Sequence, residues 1–397
     1  MRNSIFTRYV ALELVSFFVV VVTIITVVLV LAVVAGEAVR MNLGLMPTLR
    51  LLPFVLPTAL AYAVPTAFLF AVCLVYGRMS ADNEVVAAKS LGISPVVLIA
   101  PGLLIAFVLS LAGVALHDFA NSWGTAGVQR VIVQSLEEVA YGMLRTQRAF
   151  ANPRFSIVVK GVDGKRLIQP TMNFQANNDL PALTVTAVEA ELRSDLSRDM
   201  MTLILTDCEI EMPPNVRTVL PGQTIKEFPL TYFSAKEIRA GSPGQMPMRK
   251  IHGEITLQLA RIHELEQSLA AAAAMALVTG DLDELHEENW RARRRQLADA
   301  NSRLYRLRIE PSRRWACGFS ALCFALCGAP WAILLKKADV MTRFGLLFGG
   351  ILVCYYPLLI GCLDRVKGGA MPPYVVWTPN VILALVGFAL MKRVIRY

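Results

Sequence analysis

The stretch YGRMSADNEVVAAKSLGIS, residues 76–94, is a short polar and charged segment between two long apolar runs. Ser80 and, one turn later, Glu84 place a capping hydroxyl and an acidic group at the start of a helix, where the helix dipole favours them. Gly92 is a natural stop for that helix. The segment therefore predicts a surface helix of about three turns over 80–91, lying at a membrane face with an exposed acidic side. The alternative is a solvated loop that only orients the chain.

The same residues resemble a known coupling element. Gly-Arg-Met-Ser at 77–80, Asp82-Asn83-Glu84 and the run from Lys89 to Ser94 are similar to the cytoplasmic coupling helix of the lipopolysaccharide-export permease family, LptF and LptG. In that family the helix sits in a groove of a separate ATPase subunit, LptB. The resemblance implies that the ATPase-coupling residues are Arg78, Asp82, Asn83, Glu84 and Lys89.

The composition is that of an integral membrane protein with a sizeable polar portion. The 397 residues are 55% hydrophobic and only 17% charged, which is too apolar for an ordinary soluble globule. The formal net charge is +9, but lysines and arginines cluster at the ends of apolar runs and in one helical stretch. That arrangement is typical of anionic membrane surfaces rather than of nucleic-acid binding. Among the cysteines only Cys208 lies in the polar region, so no disulfide framework is predicted.

Six apolar runs are long enough to form membrane helices, since about 20 helical residues cross the hydrocarbon core. The first run is too long for a cleavable signal peptide. Prolines in the second run are tolerated because neighbouring helices satisfy the freed carbonyl groups. The runs extend over 10–35, 51–75, 95–116, 315–335, 344–362 and 375–391.

The charges at the ends of these runs predict their orientation. Lysines and arginines are concentrated at the two termini, between runs two and three, and between runs four and five. The positive-inside rule then places both termini in the cytoplasm and the large insertion between runs three and four outside. The resemblance implies that the membrane is the bacterial inner membrane, with the insertion in the periplasm.

The insertion changes character along its length. Helical periodicity over 121–150 is followed by short β-branched runs broken by turn residues, which predicts a lead helix and a β-sandwich or jelly roll over about 150–245. Alternation over 183–188 indicates a strand with one buried face, and Asp163-Gly164 predicts a hairpin turn. The order of these strands resembles the periplasmic β-jelly-roll domain of the same permeases.

A helical extension follows the β region. From 254 to 308 the chain is rich in Ala, Leu, Glu and Arg and lacks proline, which predicts a helical hairpin divided at Gly280-Asp281. The family links its jelly roll and fourth helix with a shorter segment, and the sequence assigns the extension no function. The predicted domains are 1–118 with membrane helices one to three, 119–253 with lead helix and jelly roll, 254–312 with the helical extension, and 313–397 with membrane helices four to six.

The C-terminal half extends the resemblance. Glu310-Pro-Ser-Arg313-Arg314 looks like the family's Glu-x-His-Arg-Arg, with Ser312 where a histidine is usual. Three further motifs recur at matching places: Gly328-Ala-Pro330, Tyr355-Tyr356 and Trp377-Thr-Pro379-Asn380. The resemblance covers nearly the whole chain apart from the enlarged helical extension.

Motifs for catalysis are missing from the sequence. There is no G-x-x-x-x-G-K-[ST] for nucleotide phosphates and no H-E-x-x-H for zinc. The histidines are dispersed along the chain, at His117, His252, His263 and His286. We therefore predict no enzyme activity, no cofactor and no metal site, and expect a partner to hydrolyse ATP.

Two functions remain open. The first is a permease subunit of an ABC-type exporter for lipopolysaccharide or a related anionic glycolipid, either the F-like or the G-like half. For this function the resemblance implies an LptB-like ATPase, a second LptF/LptG-type permease and LptC/LptA-like periplasmic jelly-roll proteins as partners. The second is a non-transport membrane scaffold whose β domain assembles envelope proteins, which needs no acidic docking helix.

Two arginines are candidate substrate-binding residues. Arg40 and Arg50 flank the loop between the first two membrane helices, at the outer surface in the predicted orientation. Cations at that level suit the acidic groups of a lipopolysaccharide-like lipid. The alternative is that both are interfacial arginines that anchor the helix ends.

Overall fold

The computed structural model describes residues 2–41, 45–134, 136–152, 155–174, 183–195, 200–212, 216–229, 242–280, 288–336 and 338–396. Helices α1 to α12 extend over Arg2–Met41, Leu45–Ala81, Glu84–Ser90, Pro95–Phe119, Thr125–Gln134, Leu136–Gln147, Met248–Thr279, Glu288–Gly318, Ser320–Leu334, Val340–Gly350, Tyr356–Lys367 and Thr378–Arg396. Strands β1 to β8 extend over Ala149–Asn152, Phe155–Val158, Gly161–Asp163, Arg166–Ile168, Thr171–Phe174, Leu183–Asp195, Met200–Met212 and Val216–Pro229.

Six helical stretches among the described residues are long and apolar enough to cross a membrane, which confirms the six predicted membrane helices. We name them spans 1 to 6 in chain order. Even the shortest has 24 residues, about 36 Å of helix, which exceeds the hydrocarbon thickness of about 30 Å. The spans extend over Thr7–Val39, Thr48–Ala81, Pro95–Val128, Trp290–Leu334, Val340–Lys367 and Pro373–Arg396.

Span 4 includes both the second helix of the extension, α8, and the membrane helix α9. Only Phe319 separates α8 from α9, and α8 passes through residue 313, where a domain boundary was expected from the sequence. Pro311 lies inside α8. The change from arginine-rich to apolar composition near this point does not end the helix, because backbone hydrogen bonding is indifferent to side-chain polarity.

The extension itself consists of α7 and α8 packed in antiparallel directions. The Gln258 side chain of α7 donates a hydrogen bond to the Ala300 carbonyl of α8 at 2.9 Å. Ile262 packs in one apolar cluster with Ala300 and Leu304. α7 ends at Gly280, whose φ of 74° is the left-handed conformation that terminates many helices.

The chain divides into two compact units. One comprises Met1–Leu29, Leu56–Gly124 and Pro243–Tyr397, and the other comprises Val30–Val55 and Thr125–Ser242. In the first unit the helices approach closely at glycines: a Cβ on Gly113 would lie 3.4 Å from the Cα of Gly318. Small residues at such crossings favour helix association in a membrane. Lipid tails are as apolar as the helices, so close packing rather than the hydrophobic effect holds the helices together.

A buried charged cluster joins α4, α7 and α8 within the first unit. Arg314 is 1% exposed, pairs with Asp118 and donates a hydrogen bond to the Gly244 carbonyl at 3.2 Å. Asp118 also accepts the N–H of Met248, the first residue of α7, at 2.9 Å. Glu310 lies 3.6 Å from the Arg314 guanidinium. The carboxylates therefore compensate a cation that would be costly to bury alone.

The second unit contains an antiparallel sheet that packs against α6. Strand β6 pairs with β5 and then β4 along one edge and with β7 along the other. β8 follows β7, and β2 and β1 extend the sheet beyond β5. Tyr141 and Leu144 of α6 are buried in the core of this sheet. The molecule is therefore a membrane helical protein with an inserted β domain.

Two local predictions for the β domain are confirmed. Val185 and Ala187 are buried while Thr186 between them is exposed, so β6 alternates as expected. Asp163 pairs with Arg166 across a two-residue turn whose glycine has a φ of 59°. A tight hairpin turn needs this positive φ, which a Cβ disfavours.

Candidate functional site

The polar segment between spans 2 and 3 contains α3, a helix of seven residues over Glu84–Ser90. The helix predicted to begin at Ser80 is therefore shorter, and Ser80 is not its cap. α2 continues to Ala81, and the buried Ser80 hydroxyl donates to the Ile333 carbonyl of span 4 at 2.9 Å. Asn83 then adopts a left-handed backbone with φ of 60°, which separates α2 from α3.

The other end of α3 agrees with the sequence. Gly92 has a φ of 76°, and its N–H donates to the Lys89 carbonyl at 2.9 Å. Ser94 accepts the N–H of Val96 at 3.4 Å, and Pro95 occupies the first position of span 3. Defined turns therefore bound the segment on both sides.

The two faces of α3 differ in polarity. Val85 and Ala88 are buried in the apolar core that spans 1 to 4 and span 6 share. Val86 is 55% exposed, and Leu91, just after α3, is 66% exposed. The outward surface of the segment is therefore more apolar than the acidic face predicted from the sequence.

Acidic groups lie at the start of this surface. Asp82 and Asn83 are exposed and Glu84 is half-buried. The Asp82 carboxylate lies 4.0 Å from the Arg78 guanidinium, a distance at which an exposed pair contributes little. Asn83 Oδ1 accepts a hydrogen bond from Lys336, which follows span 4. Of the predicted coupling residues, these three therefore reach the outside of the segment.

Arg78 faces span 1 instead. Its Nη2 atom donates to the Glu13 carboxylate at 2.7 Å and to the Tyr9 hydroxyl at 3.0 Å. The Glu13 side chain is 16% exposed, so the arginine supplies its counter-charge at the end of the apolar run. Arg78 therefore binds the end of span 2 to span 1.

Lys89 also faces inward. Its Nζ atom donates to the Val394 carbonyl of α12 at 2.7 Å. The last carbonyls of a helix lack intrahelical donors and carry partial negative charge, so a lysine is favourable there. Lys89 therefore binds the end of α3 to span 6.

These contacts connect the segment to spans 1, 4 and 6. The partners of Arg78 and Asn83 in these contacts carried no functional prediction, because they lie outside the motif around α3. They are Glu13, Tyr9 and Lys336. The available signal was charge: Glu13 and Arg78 are opposite charges at ends of runs one and two that the topology places on one side.

The two candidate substrate-binding arginines lie in the second unit. Arg40 belongs to the last turn of α1, and its side chain lies outside the described residues. Arg50 is exposed in the second turn of α2 and has no ion-pair partner within the described part of the chain. The connection at 42–44 also lies outside the described residues.

The family described as lipopolysaccharide export system permease LptF/LptG matches residues 8–393. No curated protein matches the chain. The matched range includes α3, the β domain and the helical extension, and it is nearly the whole sequence. The chain therefore belongs to the LptF/LptG family of lipopolysaccharide export permeases, as a multi-pass protein of the inner membrane.

Proposed function

We propose that this chain is the permease subunit of an ABC-type exporter. It extracts lipopolysaccharide or a related anionic glycolipid from the inner membrane and passes it to a periplasmic bridge. A separate LptB-like ATPase supplies the work and docks on the segment around α3. The observation that carries the proposal is that this segment is bonded to three other spans while it keeps an exposed apolar surface.

A docked ATPase can drive the permease only if the docking segment moves other helices with it. Three contacts provide this connection, each to a different span: Arg78 with Glu13, Ser80 with Ile333, and Lys89 with Val394. Two of the three involve a charged side chain, and such hydrogen bonds are roughly twice as strong as neutral ones. A displacement of the segment over 76–94 would therefore be transmitted to spans 1, 4 and 6.

The exposed surface of the segment suits a protein groove. Val86 and Leu91 supply apolar surface of the kind found in the buried core of an interface. Asp82 and Glu84 lie beside them and supply charge for basic groups on the ATPase, which adds specificity. A scaffold without an ATPase has no use for this combination.

Spans 1 and 5 support pairing with a second LptF/LptG-type permease. The most apolar stretches of spans 1 and 5 are only 17% and 22% buried within the chain, whereas that of span 2 is 67% buried. We infer that a second permease subunit and the glycolipid cover much of this surface, with the cavity for the glycolipid between the two subunits. Arg40 and Arg50 would then bind its acidic groups at the outer surface.

The β domain is the proposed exit for the glycolipid. With both termini in the cytoplasm, as the positive charges favour, this domain lies in the periplasm. We infer that it is a jelly roll that continues into LptC/LptA-like jelly-roll proteins. Strand β8 supports this inference, because it pairs only with β7 among the described strands and its second edge can add a partner strand.

The test is ATP-driven transfer of lipopolysaccharide. The chain, the second permease and the ATPase are reconstituted in liposomes that contain lipopolysaccharide, and photocrosslinking measures its transfer to a soluble jelly-roll acceptor. We expect transfer with ATP and none with a non-hydrolysable analogue. A scaffold predicts binding of the acceptor without ATPase binding and without transfer.

Two variants show whether the ATPase uses the segment. Val86→Asp places a carboxylate on the exposed apolar surface, and we expect at least about a tenfold loss of ATPase co-purification, since burying an unpaired carboxylate costs well over 1.4 kcal/mol. Asp339→Asn changes an exposed charge just before α10 and should leave the yield unchanged. Equal yields for both variants would place the docking surface elsewhere.

A further inference from the structure

Arg343 is a buried cation in the first turn of α10. It is 4% exposed, and its Nε atom donates to the Ala338 carbonyl just before the helix at 2.7 Å. Its own carbonyl accepts the indole N–H of Trp331 in span 4 at 3.2 Å. These bonds attach the residue to the connection between spans 4 and 5.

The guanidinium of Arg343 fills a notch in span 2. The notch is at Gly77, where an added Cβ would overlap Arg343 Nη1. A side chain at 77 would have to displace this guanidinium, so the observed close contact depends on the glycine. Gly77 immediately precedes Arg78 and lies one turn before the end of α2, so it moves with the helix end that leads into α3.

The charge of Arg343 is poorly compensated. The structure gives it no carboxylate partner within the described part of the chain, and Nη1 is buried without a hydrogen-bond acceptor there. Its place at the N-terminus of α10 adds an unfavourable interaction with the helix dipole. An apolar side chain of similar length would pack in this position at lower cost, and an arginine near a membrane surface usually extends toward water.

A buried cation without a carboxylate partner among the described residues points to a role in function. Spans 1, 4 and 6 are bonded to the segment around α3 by hydrogen bonds and an ion pair, whereas Arg343 provides span 5 with a steric contact to the same helix end. Because no ion pair holds the guanidinium in one place, the contact transmits displacement without locking span 5.

We propose that Arg343, seated against Gly77, is the positioning residue that transmits movement of the α3 segment to span 5. This inference rests on the proposed function. Span 5 is one of the two least buried spans, so comparatively little packing within the chain opposes its displacement as a whole. The expected consequence is a change in the position of span 5 during each ATPase cycle.

The test is the amount of lipopolysaccharide transferred per ATP hydrolysed in the reconstituted complex. We expect Gly77→Ala, which overlaps the guanidinium, and Arg343→Ala, which empties the notch, each to lower this ratio by about fivefold or more, the lower end of typical coupling between sites. ATPase binding and hydrolysis should persist, since α3 is unchanged. Arg343→Lys, which keeps a long cationic side chain, should recover part of the ratio.

Gly345→Ala is the matched control, because a Cβ at this glycine of the same helix meets nothing within 4 Å. Its ratio should equal that of the wild type. The double variant Gly77→Ala/Arg343→Ala should be no worse than Arg343→Ala alone, since the overlap needs the guanidinium.

The outcomes separate this inference from the proposed function. Wild-type ratios in Gly77→Ala and Arg343→Ala overturn the inference alone. A loss of assembled complex with an unchanged ratio also overturns it, because packing then explains the effect. A wild-type complex that binds no ATPase and transfers no lipid overturns both.

Discussion

At the residue scale, the direction in which each charged side chain of the α3 segment points decides its role. Arg78 and Lys89 contact Glu13 and the Val394 carbonyl within the chain, so they connect the segment to the spans. Asp82 is exposed and Glu84 is half-buried beside the exposed Val86. The acidic residues, rather than the basic ones, are therefore the candidates for contact with the ATPase.

Glu84 is expected to make the charged contact with the ATPase. Glu84→Arg should sharply reduce the fraction of ATPase that co-purifies with the chain, since removing one partner of a desolvated charge pair costs about 2–5 kcal/mol. Asp364→Arg reverses an exposed charge at the far end of span 5 and serves as the control. Wild-type yield and normal export with Glu84→Arg would show that Glu84 makes no such contact.

At the element scale, the helical extension is part of the membrane unit rather than an appendage. α8 forms the first part of span 4, and α7 begins at Met248, whose N–H is bound by Asp118 at the end of α4. The carboxylate also pairs with the buried Arg314 of α8. The Asp118 side chain therefore contacts both helices of the extension, at the first residue of α7 and at Arg314 of α8.

Asp118→Asn should destabilise this junction. The amide leaves Arg314 with Glu310 at 3.6 Å as its nearest carboxylate, and breaking a buried pair costs about 3–5 kcal/mol, with the lower end expected because Asp118 is 29% exposed. The measurement is thermal unfolding of the purified protein, together with proteolysis of the extension.

Glu254→Gln provides the comparison for this junction. It removes one partner of a more exposed pair with Arg303 at 3.7 Å, for which a cost below about 1 kcal/mol is expected. Equal stability losses in Asp118→Asn and Glu254→Gln would contradict a special role for the buried cluster.

At the scale of the whole molecule, the two compact units have different proposed tasks. In the proposed function, the unit with α3 and most of the membrane helices binds the ATPase, and the unit with the β domain receives the glycolipid. Arg40 and Arg50, the proposed glycolipid-binding residues, belong to the second unit. We therefore expect that substitutions can affect glycolipid binding without affecting ATPase binding.

Arg40→Glu should weaken photocrosslinking of lipopolysaccharide without affecting assembly with the ATPase. The substitution replaces a cation by an anion where acidic lipid groups are expected, and repulsion adds to the lost attraction. Arg365→Glu, an exposed charge reversal near the end of span 5, is the control for surface charge at the same membrane face in the predicted orientation. Unchanged lipid occupancy in Arg40→Glu, with normal folding, would identify Arg40 as a helix anchor.

The sequence by itself determined the six spans, the inserted β domain and the stop at Gly92. These features depend on local sequence: runs of apolar side chains, alternation of apolar and polar residues along a strand, and the conformational freedom of glycine. The same local information was insufficient for Ser80, since a hydroxyl before acidic residues fits a helix cap as well as a buried donor to another span.

Only the tertiary structure decided which charged residues meet. Arg78 and Glu13 are 65 positions apart, and Arg314 and Asp118 are 196 apart. Such contacts depend on how far each helix is rotated about its axis and where it crosses its neighbours, which small residues such as Gly113 and Gly318 determine through close packing. The notch at Gly77 is of the same kind, because its glycine is explained only by the guanidinium of Arg343 from another helix.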